Sequence, residues 1–117
     1  MARILIVDDS KTSRKILRNI LEEAGHEVVE EAVDGQDGID KYKQYNPEIV
    51  TLDITMPVLD GLEALKGIRE FDKNAKVIMV TAAGQQNKMV EAIKLGAAEF
   101  VTKPFEKEVI LKLVEKI

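Results

Sequence analysis

A chain of 117 residues that is 45% hydrophobic and 32% charged has the size and balance of one soluble globular domain. Its 17 basic and 21 acidic residues leave a net charge of −4, and with only two Tyr, three Phe and no Trp neither a basic stripe nor a base-stacking surface is available for nucleic acid. The absence of cysteine removes disulfides, thiolate metal sites and cysteine nucleophiles, and the longest uncharged stretch, 77–87, is too short to span a bilayer.

Met1-Ala2-Arg3 leads directly into the apolar run Ile4-Leu5-Ile6-Val7. No signal peptide precedes that run, so a cytoplasmic protein is expected. It reads as a first strand and ends in Asp8-Asp9-Ser10. Ser10 stands where the N-cap of a helix is expected. Beyond it Ile16, Leu17, Ile20, Leu21 and Ala24 recur at helical spacing, and Gly25 supplies the stop. His26, in the turn "AGHEV", reads as a surface residue. Val28-Val29 marks a second, weaker strand, and residues 38–44 a second helix.

The stretch "EIVTLDITMPVLDG" follows. The run Ile49-Val50-Thr51-Leu52 reads as a buried strand that ends on one carboxylate, Asp53, before Pro57 and Asp60-Gly61 turn the chain. Residues 62–69 have helical spacing. Val77-Ile78-Met79-Val80 is a fourth strand, running into Thr81-Ala82. Residues 88–95 form a helix closed by Gly96. Phe100-Val101 is the fifth strand, leading into Thr102-Lys103-Pro104, and a last helix covers 106–117. Continuous β-branched runs of this kind are typical of strands buried on both faces. Met56, Met79 and Met89 read as packing residues.

Strands alternating with helices over short connections predict a (βα)5 chain. With right-handed crossovers this is an α/β three-layer sandwich around a five-stranded parallel sheet, one domain over 1–117. In open parallel sheets the ligand site lies outside the carboxyl ends of the strands. Asp8, Asp9, Asp53, Thr81 and Lys103 should converge there. Three carboxylates at one edge repel each other, which raises at least one pKa unless a cation compensates. Oxygen-only ligands suit a hard divalent ion, Mg2+ better than Ca2+. A carboxylate beside that ion, a lysine and a hydroxyl can act as nucleophile towards a phosphoryl group. Taken singly, each residue has a plainer reading. Asp-Asp-Ser could be capping and dipole chemistry, Asp53 a turn residue, Thr81 a satisfied hydroxyl and Lys103 a solvated charge.

The ordered set "ILIVDDS", "LDITMP-LDG", "VTAAG" and "FVTKPF" resembles the receiver domain of two-component response regulators, over essentially the whole chain. "DITMP" and "AAGQQNKMVEAIKLGA" are most similar to the single-domain chemotaxis-type receivers. The resemblance implies a flavodoxin-like strand order 2-1-3-4-5. It implies that Asp53 accepts a phosphoryl group from a histidine kinase, and that Asp9, Asp53 and the backbone carbonyl of Thr55 hold Mg2+, with Asp8 acting through water. Thr81, Ala82 and Lys103 would bind the phosphoryl oxygens, Thr81 and Phe100 would form the switch, and the Lys103-Pro104 bond would be cis. The output would be a partner protein bound at residues 85–94 and 106–116, on the face of the fourth helix, fifth strand and fifth helix, by a monomer without membrane insertion.

Two departures accompany the resemblance. Thr55 and Ala83 hold neither the amide nor the carboxylate of the fastest-hydrolysing relatives. Phe100 lacks the hydroxyl of the more familiar tyrosine. Three other functions compete with a chemotaxis switch that is not a turnover enzyme. A Mg2+-dependent aspartyl phosphatase would place Asp-x-Asp after the first strand, whereas here the acid follows the third and Thr55 stands two residues on. A flavodoxin-like cofactor carrier would need a phosphate-cradling loop where Asp8-Asp9 stand. A phosphorelay receiver outside chemotaxis has the same chemistry.

Overall fold

A computed structural model describes all of residues 1–117. Along the chain run β1 (Arg3–Val7), α1 (Lys11–Glu23), β2 (Glu27–Ala32), α2 (Gly35–Tyr45) and β3 (Ile49–Asp53). They are followed by α3 (Gly61–Phe71), β4 (Val77–Thr81), α4 (Gln86–Lys94), β5 (Glu99–Thr102) and α5 (Lys107–Lys116). The strands form one sheet in the order β2-β1-β3-β4-β5 with every neighbour parallel, which is the flavodoxin-like order. No helix is long and apolar enough to cross a membrane.

The period of two in a strand divides the apolar runs between two cores. Leu5, Val7, Val50, Leu52, Val77 and Met79 face one side, packed with Tyr42 of α2, Ala64, Leu65 and Ile68 of α3, and Ala92 of α4. Ile4, Ile6, Ile49, Ile78, Val80 and Val101 face the other, packed with Leu17 and Leu21 of α1 and Ile110 and Val114 of α5. Each fully buried Leu, Ile or Val contributes about 1.5–3 kcal/mol relative to an exposed one. The three central strands are therefore the most completely buried part of the molecule. Met56 and Met79 are buried and Met89 packs against the first core.

Several sequence expectations need correction. The fifth strand is not buried on both faces. It forms an edge, only Val101 is fully buried, and Phe100 is 39% exposed. In α1, Ile16 faces outward at 46% exposure. Helix α2 begins at Gly35, ahead of the apolar spacing, because Asp34 caps it by accepting from the N–H of Asp37 at 2.8 Å. His26 is half-buried rather than a free surface group, and its Nδ1 accepts from the N–H of Ala2 at 3.0 Å, fastening the start of β1. Ser10 caps α1 by accepting from the N–H of Ser13, and Gly25, at φ +89°, supplies the left-handed residue after α1.

Candidate functional site

The carboxyl ends of β1, β3, β4 and β5 open on one edge of the sheet. Asp53 is the last residue of β3 and is fixed through the backbone around it. The N–H of Ile54 donates to the carbonyl of Val80 at 3.0 Å, and the N–H of Gly61 donates to the carbonyl of Ile54 at 2.7 Å. Gly61 approaches so closely that a Cβ would overlap the carbonyl oxygen of Asp53. Only glycine lets α3 start there.

Asp8 follows β1 and is buried, with Oδ1 accepting from the N–H of Ser10 at 2.8 Å. Its carbonyl is gripped from behind by Arg14, whose Nη1 donates to it at 2.8 Å. Arg14 and Arg18 both hold Glu31 of β2, at 2.8 and 2.6 Å. Burial alone would raise the Glu31 carboxyl, but the hydrogen bonds and charges of Arg18 and Arg14 outweigh it and hold it below the usual range. Asp9 is exposed beside Asp8.

Lys103 is held where β5 leaves the sheet, its N–H donating to the carbonyl of Thr81 at 2.8 Å, and the Lys103-Pro104 bond is cis. Its Nζ lies 3.1 Å from Oδ2 of Asp8 and 3.4 Å from Oδ2 of Asp53. Burial would lower the ammonium pKa, but the charges of Asp53 and Asp8 raise it above its ordinary value. Burial and then the Asp8 charge push the Asp53 carboxyl up to about 6, against the pull of Lys103. The lysine thus offsets the crowding of acids only in part.

Carboxylate oxygens of Asp8, Asp9 and Asp53 lie within 4.8 Å of one another. An all-oxygen donor set of high negative charge, with one acid still raised, fits a hard divalent cation. On the neighbouring strand, Thr81 is fully buried and its hydroxyl has no hydrogen-bond partner. Such an orphan costs about 1–3 kcal/mol; the Thr51 hydroxyl in β3 shares this state, but Thr81 alone of the two stands at the strand end. The next N–H, that of Ala82, is engaged by the side chain of Gln85 at 2.8 Å.

The edge therefore gathers Asp8, Asp9, Asp53 and Lys103, with Thr81 and Ala82 at the adjoining strand end. Phe100 is not in this cluster. It lies beside Met79 of β4 and lines, with Lys103, Pro104, Glu106 and Val109, a cavity of about 300 Å3. Sequence reasoning missed two residues. Gln85 enters the sequence reading only as the first residue of the 85–94 partner face, and Arg14 does not enter it. Charge at the spacing Arg14, Arg18 was the available signal for the second, and nothing local pointed to the first.

The family model of the response regulator receiver domain matches residues 4–115. The chain is 50% identical to Protein CcdB of Bacillus subtilis, over 100% of this chain and 98% of that protein. It is 45% identical to Chemotaxis protein CheY of Thermotoga maritima, over 98% of this chain and 96% of that protein. A solved CheX-CheY-BeF3-Mg+2 complex from Borrelia burgdorferi contains a similar chain, with a TM-score of 0.93 and 41% identity over 97% of this chain and 87% of that one. With the family model spanning residues 4–115 and a fold that agrees with these matches, the chain belongs to the response regulator receiver domain family.

Proposed function

We propose that this chain is a phosphorylation-controlled switch of a two-component system, a single receiver domain over residues 1–117 that takes a phosphoryl group from a histidine kinase onto Asp53. The observation that carries this reading is the buried Asp53 carboxylate within 3.4 Å of the Lys103 ammonium, in a cluster with Asp8 and Asp9 and beside the unpaired hydroxyl of Thr81. Asp8 has Oδ1 committed to Ser10 and Oδ2 to Lys103, whereas Lys103 reaches only Oδ2 of Asp53. Asp53 is thus the better-placed nucleophile.

An Oδ of Asp53 forms the new P–O bond as the P–N bond of the donor phosphohistidine breaks. The leaving ring nitrogen keeps that electron pair and departs as neutral imidazole, its other nitrogen already protonated. Lys103 offsets charge on the phosphoryl oxygens, and Thr81 and Ala82 supply hydrogen bonds to them. Asp8, Asp9, Asp53 and the Thr55 carbonyl would hold Mg2+, which would add its two positive charges to that of Lys103 against those oxygens. The protein assists its own phosphorylation and dephosphorylation and turns over no external substrate.

Relatives named as chemotaxis proteins support a place in chemotaxis. The output is a partner protein at the face of α4, β5 and α5, where Val90, Ile93, Phe100 and Val109 are exposed. Acetyl phosphate with Mg2+ should add one phosphoryl group at Asp53, located by peptide mass spectrometry. Asp53→Asn should keep its fold and lose the label, and equal labelling of the variant would overturn the assignment.

A further inference from the structure

One side chain crosses the mouth of the site. Gln85 accepts from the N–H of Ala82 through Oε1 at 2.8 Å and donates from Nε2 to Oγ1 of Thr55 at 2.6 Å. It precedes α4 but makes no side-chain capping bond to that helix. Two donors therefore stand side by side at the end of β4. The Thr81 hydroxyl is unpaired, and the Ala82 N–H is satisfied by Gln85.

We infer that Gln85 is a latch, tying the β4–α4 connection to the β3–α3 connection in the unphosphorylated protein and competing with the phosphoryl group for the Ala82 N–H. The inference rests on Asp53 as the phosphoryl acceptor. A neutral amide oxygen is a weaker acceptor than an anionic phosphoryl oxygen, so the exchange runs towards the phosphorylated form, but its net gain is reduced by the bond given up. Release also removes the donor from Thr55. The segment set free leads straight into α4, whose one buried residue is Ala92, so occupancy of the site is transmitted to the most weakly held helix. Gly84, at φ +90° with open space around it, lets the connection move without a side-chain clash.

The test is an NMR titration with beryllofluoride in excess Mg2+ on wild type, Gln85→Leu, Gln85→Glu and the exposed neighbour Gln86→Ala, with melting curves to verify folding. Binding by wild type, absent in Asp53→Asn, secures the acceptor independently. Gln85→Leu, which has no group to compete, should then bind about three- to tenfold more tightly, as expected for one neutral hydrogen bond no longer exchanged. Gln85→Glu should bind more weakly, because its carboxylate holds the Ala82 N–H harder and repels the anion. Gln86→Ala should match wild type. Without ligand, the Ala82 amide should lose hydrogen-exchange protection in Gln85→Leu alone. Unchanged or weaker binding by folded Gln85→Leu, with wild type binding normally, overturns the latch and leaves the acceptor assignment intact.

Discussion

Helix α3 opens on Asp60, whose Oδ1 accepts from the N–H of Glu63 at 3.0 Å, and it buries Gly61, Ala64, Leu65 and Ile68. Helix α4 opens on Gln85 with no side-chain cap and buries Ala92 alone, with Val90 and Ile93 more than half exposed. Both helices follow strands that end at the site. The well-anchored one abuts the carbonyl of Asp53, and the loosely held one follows the donors of Thr81 and Ala82. Phosphoryl transfer needs a fixed nucleophile. A switch needs an element whose two arrangements differ by only a few kcal/mol, so that one new contact shifts the population. On the proposed function, the firm seating of α3 and the light seating of α4 would serve these two demands in turn.

The comparison breaks if the two helices tolerate truncation equally. Leu65→Ala should cost about 2–5 kcal/mol in urea unfolding, since Leu65 is fully buried and leaves a cavity. Ile93→Ala, at 55% exposure, should change stability by no more than about 0.5 kcal/mol. Comparable losses at both positions would mean that α4 is as firmly seated as α3.

A second test bears on the fixed nucleophile. The Asp53 carboxyl titrates at about 6 in the folded chain, against about 3.9 for an unperturbed aspartate. The folded state therefore binds this proton more tightly than the unfolded state does. That contribution is complete below about pH 4 and is lost as pH rises through about 6. Chelator-treated protein should lose roughly 2 kcal/mol from this group between pH 4 and pH 7. Subtracting the Asp53→Asn profile isolates it. A difference curve that is flat, or that rises with pH, would show that burial and the Asp8 charge do not raise the Asp53 carboxyl.

The smallest expected effect sharpens the comparison on the α3 side. Val58, in the connection to α3, adopts φ +67° and is 82% exposed. A β-branched residue is strained there, whereas asparagine tolerates the left-handed region. Val58→Asn should raise stability by about 1 kcal/mol in the same unfolding assay. No gain would mean that the loop relaxes around valine in solution, and that the mount of Asp53 is less rigid than its hydrogen bonds imply.

Much of this architecture is legible in local patterns. The alternation of Ile4 and Ile6 with Leu5 and Val7 assigns residues to two cores before any helix is placed, because side chains on a strand alternate between faces. Asp8, Asp53, Thr81 and Lys103 could be gathered at one edge because each terminates an apolar run and parallel strands share a carboxyl end. The edge character of β5 was not legible in the residues themselves and followed only from the strand order that the family resemblance implies. Phe100-Val101 has the same composition as a central strand, and only its place outside β4 leaves Phe100 exposed. Nor was the role of His26, whose partner Ala2 is 24 residues away.

The sequence by itself determined the number and type of elements, the two-faced core and the polar residues at the strand ends, since hydrophobic period, turn residues and strand ends are encoded over a few neighbouring positions. The strand order came from family resemblance rather than from the residues themselves. Only the tertiary structure decided that Lys103 sits between Asp8 and Asp53, that Arg14 and Glu31 brace the acidic turn, and that Gln85 spans the gap to Thr55. The Lys103–Asp53 and Gln85–Thr55 bonds join residues 50 and 30 positions apart. Such contacts form only after β4 and β5 have packed beside β3, so no local window of the chain contains them.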